Sequence, residues 1–234
     1  MSTTKENPVI AARRAGRNAL DESAGKQLLA AHGIKVPQSR VAKGLADVDA
    51  VMKGLQAPVV VKVMSPDILH KSDAGGVKVS LRTAAEVRAA IEGMMSAPKI
   101  KGARIDGFLI EEMAPAGHEL VIGGLRDPQF GPLVMVGLGG IFVEILKDVS
   151  FRLCPIARID AEEMLTELKG AAILKGARGT KPASLEAIID VLLKIGGENG
   201  LLMQHAGDIS EADINPLIVS DTAAVAVDAR FILG

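Results

Sequence analysis

The run Pro58-Val59-Val60-Val61-Lys62-Val63 constrains this chain more than any other stretch. Three consecutive β-branched residues favour the extended state, and an apolar run this short reads as a buried strand. Lys62 interrupts it. Burying an ammonium without a counter-charge is costly, so Lys62 either reaches solvent at the strand end or meets an anion supplied from outside the chain. Just downstream, His70, Lys71, Ser72 and the pair Gly75-Gly76 suit a mobile loop whose backbone N–H groups can close round phosphate oxygens. A strand lysine beside a glycine loop points to a nucleotide.

With 234 residues the chain can bury a substantial core, as one large domain or two small ones sharing a cleft. A net charge of −1 gives no electrostatic reason to expect nucleic acid or an anionic membrane as partner. With aromatics at 2% and neither Trp nor Tyr, the stacking platforms of single-strand binders are missing as well. No apolar run approaches a membrane span and the N-terminus lacks a signal-peptide apolar region, so the expected location is cytoplasmic. The single cysteine, Cys154, excludes an internal disulfide and a cysteine-based zinc site, and reads as a small packed apolar group.

In chain order, residues 1–19 form a polar, basic extension expected to dock loosely. A helix over 21–31 stops at Gly33, an extended piece runs over 34–41, and a second helix covers about 46–55. After the glycine loop, Val77-Lys78-Val79-Ser80-Leu81 alternates like a half-exposed strand, and Thr83 caps a helix to about 96. From residue 107 the pattern is strand after strand, at 107–113, 119–125 and 133–136, with a turn-rich excursion at 126–132. Residues 148–159 read as irregular, 160–168 as helix, 170–182 as a basic loop and 185–195 as a helix resuming toward His205. Two closing strands, 213–219 and 224–232, follow. The fold class is α+β, two lobes about a cleft, with an N-lobe over about 20–112 and a C-lobe over about 113–234.

The closing strands place chemistry most definitely. Asp213 and Asn215, two apart, share a strand face while Ile214 points into apolar packing. A symmetric hairpin centred between Asp221 and Thr222 sets Asn215 opposite Asp228 and Asp213 opposite Arg230. Two carboxylates and an amide carbonyl suit Mg²⁺, and read equally well as a solvated rim with a surface ion pair. A β-bulge would spoil this register. His70 reads as a surface histidine, a base or a phosphoryl acceptor, a neutral imidazole being a competent nucleophile toward phosphorus. Glu111 and Glu112 face opposite sides of their strand, so at most one enters a cleft, and Met113 shares the Glu111 side. Gly137-Leu138-Gly139-Gly140 lacks the dinucleotide fingerprint, and no Walker loop is present, which argues against a Rossmann dehydrogenase and a P-loop ATPase.

Taken together, Val60-Val61-Lys62, the string His70-Lys71-Ser72-Asp73-Ala74-Gly75-Gly76-Val77, Ile110-Glu111-Glu112-Met113, Arg126-Asp127-Pro128-Gln129-Phe130-Gly131-Pro132, Gly137-Leu138-Gly139-Gly140, Asp213-Ile214-Asn215-Pro216 and Val227-Asp228-Ala229-Arg230 resemble, in that order, the ATP-grasp subunit of ADP-forming acyl-CoA synthetases. More distantly they are similar to the nucleotide-binding part of succinyl-CoA synthetase. The resemblance spans residues 20–232 and implies an ATP-grasp fold gripping ATP or ADP between two lobes. It implies Lys62 on the nucleotide phosphates, Gly75 and Gly76 in the loop covering them, and Glu111, Glu112 and Met113 along the adenine. Glu119 is implied at the ribose, Asn215 and Asp228 with Asp213 nearby on Mg²⁺, and His70 as a second phosphohistidine. It further implies an alpha subunit, or fused domain, carrying CoA binding and the primary phosphohistidine, in an α₂β₂ assembly. A free-standing carboxylate–amine ligase, which needs no His70, and a regulatory nucleotide-binding module without turnover are the alternatives.

Overall fold

The computed structural model describes residues 7–68, 71–140, 145–176 and 181–234. Two compact units divide the chain: Pro37–Ala114 is one, and Met1–Val36 with Pro115–Gly234 is the other.

The chain opens with α1 (Pro8–Arg14), where the Asn7 side chain accepts from Val9 N and Pro8 sets the first helical φ. Val9 and Ala12 are buried, and Arg13 donates to the Gly234 carbonyl at 2.7 Å and pairs with Asp208 at 3.1 Å. The segment expected to be loose is therefore a capped helix tied to the C-terminus. With only two buried side chains it shows no apolar stripe in the sequence. Next, β1 (Ala19–Leu20) pairs with residues 231–232, and α2 (Glu22–Ala31) starts at Asp21, whose carboxylate accepts from Ala24 N. Residues 20–36, assigned from sequence to the N-lobe, thus pack with the C-terminal part of the chain.

In the Pro37–Ala114 unit the elements are β2 (Ser39–Ala42), α3 (Val48–Met52), β3 (Val59–Met64), β4 (Val77–Leu81), α4 (Ala84–Ser96) and β5 (Gly107–Glu112). The strands form an antiparallel sheet in the order β2-β5-β3-β4. One face is its core: Val59, Val61, Val63, Phe108 and Ile110 pack with Val87, Ile91 and Met94 of α4. A Thr83–Glu86 capping box begins α4.

The chain then returns to the larger unit through β6 (His118–Asp127), β7 (Gly131–Leu138), β8 (Val149–Leu153), α5 (Arg158–Glu167), α6 (Ala171–Leu174), α7 (Leu185–Gly196), α8 (Leu201–Gln204), β9 (Ile209–Val219), β10 (Ala224–Ala226) and β11 (Arg230–Leu233). Strand order is β1-β11-β9-β6-β7-β8, with β10 also on β9. Leu120, Ile122, Val134, Val136 and Ile214 face inward onto Ile188, Leu192 and Ile195 of α7. Two expectations are corrected here. Residues 148–159 contain β8, whose Phe151 and Leu153 lie more than half exposed, the pattern of an edge strand rather than a buried one. The basic loop begins with the short helix α6. Among the described residues no helix is long and apolar enough to cross a membrane.

Candidate functional site

Antiparallel register decides what Lys62 meets. Val60 stands opposite Glu111 and Lys62 opposite Leu109, so Lys62 and Glu111 are diagonal neighbours on one face of the β3–β5 pair. Lys62 Nζ lies 2.7 Å from Glu111 Oε1, with the side chains 7% and 1% exposed. Glu111 supplies a counter-charge from within the chain, and Lys62 does not snorkel out to solvent at the strand end. Glu112, on the opposite face, is half-buried and accepts from Gln56 N at 2.8 Å. Met113 is exposed; its N–H donates to the Pro58 carbonyl at 3.2 Å and its sulfur accepts from Ser80 Oγ at 3.6 Å.

In the glycine loop, Gly75 N–H donates to the Ser72 carbonyl at 3.1 Å and Gly76 N–H to the Lys71 carbonyl at 2.7 Å. Both amides expected to cradle phosphate are thus engaged in the loop's own turn. Gly75 has φ +76°, and Gly76 accepts from Val63 N at 2.8 Å, so close to β3 that a Cβ there would strike the Val63 side chain. His70 lies outside the described residues.

The third cluster is on the outer face of the large unit's sheet. Ile214 is buried on the inner face, whereas Asp213 and Asn215 are exposed on the other. Asp213 stands opposite Arg230 on one side and Gly123 on the other. Strand pairing lapses over residues 227–229, yet Leu217 opposite Ala226 and Asp213 opposite Arg230 keep one register on either side, which leaves Asn215 across from Asp228. Pro216 has no N–H to donate; its carbonyl still accepts from Val227 N at 3.0 Å, and the β6–β9 register shifts at the same level. Although Asp213 reaches solvent, its surroundings desolvate it and push its pKa up; the Asp228 carboxylate adds to this and Arg230 opposes it. Glu119 shares this face, and Gly139 donates to its carbonyl at 2.7 Å, which gives the Gly137–Gly140 turn a place against Glu119. Beside Asp213, a cavity of about 390 Å³ is lined by Gly123, Leu133, Met135, Phe151 and Arg230.

Among the described residues no three His, Cys, Asp or Glu converge as for a transition metal. Two carboxylates and an amide carbonyl fit Mg²⁺, which takes one or two carboxylates and fills its shell with water and phosphate oxygens. The Asp228 repulsion that adds to desolvation in raising Asp213 is what a divalent cation would relieve.

Residues 11–233 match the ATP-grasp domain family. The chain is 45% identical over 231 residues to the ADP-forming acetate–CoA ligase I subunit beta of Pyrococcus furiosus, with 98% of each chain covered. The chain belongs to the ATP-grasp subunits of the ADP-forming acyl-CoA ligases. Among solved structures, this ATP-grasp subunit superposes with a TM-score of 0.89 on the acetyl-coenzyme A synthetase 1 of Ca. Korarchaeum cryptofilum bound to coenzyme A and Ca-AMPCP, at 42% identity, covering 97% of this chain and 98% of that one. A second structure of that protein, with Mg-AMPPCP and a phosphohistidine segment pointing towards the nucleotide binding site, matches at 40% identity and a TM-score of 0.80 over the same shares. The ADP-forming acetate–CoA ligase I of Archaeoglobus fulgidus is 43% identical over 216 residues, which are 90% of this chain but 30% of that longer one. The beta subunit of Halobacterium salinarum succinate–CoA ligase is 28% identical over 219 residues, 90% of this chain and 53% of that protein, which bears out the more distant similarity.

The sequence alone pointed to Lys62 and Asp213 but missed Glu111 as the partner of Lys62. The available signal was strand pairing: once β3 and β5 are adjacent and antiparallel, only one of the two glutamates can face the lysine.

Proposed function

We propose that this chain passes a phosphoryl group between ATP or ADP and a histidine relay that an alpha-type partner couples to acyl-CoA. On the partner, acyl-CoA and phosphate give acyl phosphate and free CoA. Acyl phosphate then gives its phosphoryl group to a partner histidine, releasing the carboxylate. The group moves to His70 of this chain and from there to the terminal oxygen of ADP, returning neutral imidazole and forming ATP. The first step exchanges the thioester C–S bond for a C–O bond to phosphate, each later step exchanges one P–O or P–N bond for another, and all run in either direction. A phosphoramidate is energetic enough for the last step, so positioning and charge neutralisation suffice.

Lys62, held by Glu111, offers its ammonium to the phosphates, and the Gly75-Gly76 loop covers them once its internal bonds open. Glu111, Glu112 and Met113 run along the adenine, with Glu119 at the ribose. Asn215 and Asp228, with Asp213, would hold Mg²⁺, which when bound neutralises phosphate charge. The partner is a separate alpha subunit in an α₂β₂ assembly, and the Archaeoglobus relative, three times longer, supports the same division of labour within one chain. The observation that carries this reading is the buried Lys62–Glu111 pair in a chain that matches a beta subunit from end to end.

The test is ATP formation from acyl-CoA, phosphate and ADP by this chain with an alpha-type partner. Synthesis that needs both chains supports the proposal. ATP-dependent joining of a carboxylate to an amine by this chain alone would establish the ligase alternative, and nucleotide binding without turnover in the presence of the partner would establish the regulatory one.

A further inference from the structure

α2 carries an ion pair that nothing above uses. Glu22, Gly25, Lys26 and Leu29 recur at helical spacing on one stripe of the helix, and all four are buried. Lys26 Nζ lies 2.9 Å from Glu22 Oε1, with each side chain 2% exposed. Exposed pairs at this spacing contribute only tenths of a kcal/mol, and burying one carries a desolvation cost that apolar side chains of similar size would avoid. Stability alone does not account for the pair.

Its neighbour shows what the stripe rests on. A Cβ at Gly25 would lie 3.0 Å from the Ala229 carbonyl oxygen and 3.2 Å from the Phe231 ring, so the helix backbone abuts the chain just after Asp228. Ala229 N–H in turn donates to Asp228 Oδ1 at 2.8 Å. Contacts therefore run from α2 through Ala229 to the Asp228 carboxylate, in the segment between β10 and β11.

We infer that Glu22, Gly25 and Lys26 are positioning residues: the buried pair fixes the rotation of α2, Gly25 seats it on Ala229, and Ala229 holds Asp228 where a divalent cation is bound. The inference rests on the proposed Mg²⁺ role of Asp228. Residues that orient a ligand from behind change metal affinity by about 10–100-fold when altered.

The test is a calorimetric titration of Mg²⁺ into the full-length chain with saturating ATP, with denaturant unfolding measured in parallel. The double variant Glu22→Leu/Lys26→Met replaces the pair with apolar groups and is expected to keep the fold while raising the Mg²⁺ midpoint about 10-fold. Gly25→Ala, which crowds the Ala229 carbonyl and the Phe231 ring, is expected to shift the midpoint the same way and carries the test if the double variant does not fold. The swapped pair Glu22→Lys/Lys26→Glu restores the charges and is expected to bring the midpoint back. An unchanged midpoint in a folded double variant and in Gly25→Ala overturns the inference while leaving the metal site standing. An unchanged midpoint in Asp228→Asn overturns the metal site itself, and the inference with it.

Discussion

Replacing Glu111 with Leu removes the carboxylate 2.7 Å from the Lys62 ammonium, in a sheet face where that side chain is 7% exposed. Breaking a buried pair from one side costs about 3–5 kcal/mol, because the remaining charge keeps its desolvation penalty and loses the attraction that offset it. Lys62→Met leaves a buried carboxylate and is expected to cost a similar amount. The double variant Lys62→Met/Glu111→Leu removes both charges and is expected to cost less than either single change. The chain has neither Trp nor Tyr, so unfolding is followed by far-UV circular dichroism in urea. With a slope of about 1–3 kcal/mol per M, each single variant should move the midpoint by roughly 2 M. The cycle also bears on function: the double variant should fold yet lose ATP affinity, having no cation for the phosphates. Single-variant costs that simply add in the double variant, or a Glu111→Leu midpoint equal to that of the parent, would refute the reasoning.

Gly76→Ala drives a Cβ into Val63, and an overpacked contact of this kind should cost about 1–3 kcal/mol in the same urea assay. Thr83→Ala removes the capping box of α4 and should cost about 1 kcal/mol by denaturant unfolding. Burial and the charge of His32, whose ring centroid is 5.7 Å away, hold the His205 pKa below its ordinary value against the pull of Asp208. The folded state therefore binds fewer protons than the unfolded one. Its contribution should be complete above about pH 6.5 and diminish as pH falls below it toward the folded pKa. His205→Gln should flatten that part of a stability profile measured between pH 5 and 8.

The register of the last hairpin was readable because one tight turn fixes it. The centre between Asp221 and Thr222 puts Asp213 opposite Arg230, as observed. The pairs on either side, Leu217 with Ala226 and Asp213 with Arg230, keep the register that sets Asn215 opposite Asp228; what the pattern of alternation does not weigh is that Pro216 withholds a donor there. The helix over 22–31 was legible from apolar spacing and its stop at Gly33, and the helix over 84–96 from its cap Thr83. The partner of Lys62 was not, because β5 follows β3 only after a strand and a helix, and which strands pair is a tertiary choice. The same holds for residues 20–36: their place is decided by β1 joining β11 at the far end of the chain. β8 was read as irregular although Val149, Phe151 and Leu153 alternate with Ser150 and Arg152; the apolar set faces outward, with Phe151 and Leu153 exposed. Nothing in the sequence marks the Glu22–Lys26 face as buried; the contacts of Gly25 with Ala229 and Phe231 do.

The central claim is that His70 carries a phosphoryl group between the nucleotide and an alpha-type partner. The measurement is incubation of the chain with γ-labelled ATP and Mg²⁺, alone and with that partner, for the parent and for His70→Ala, followed by acid and alkali stability of protein-bound label. The account predicts acid-labile, alkali-stable label on the parent that is absent from the variant while ATP still binds. Label that survives His70→Ala on this chain, or a parent that binds ATP with the partner present and takes up none, would contradict it.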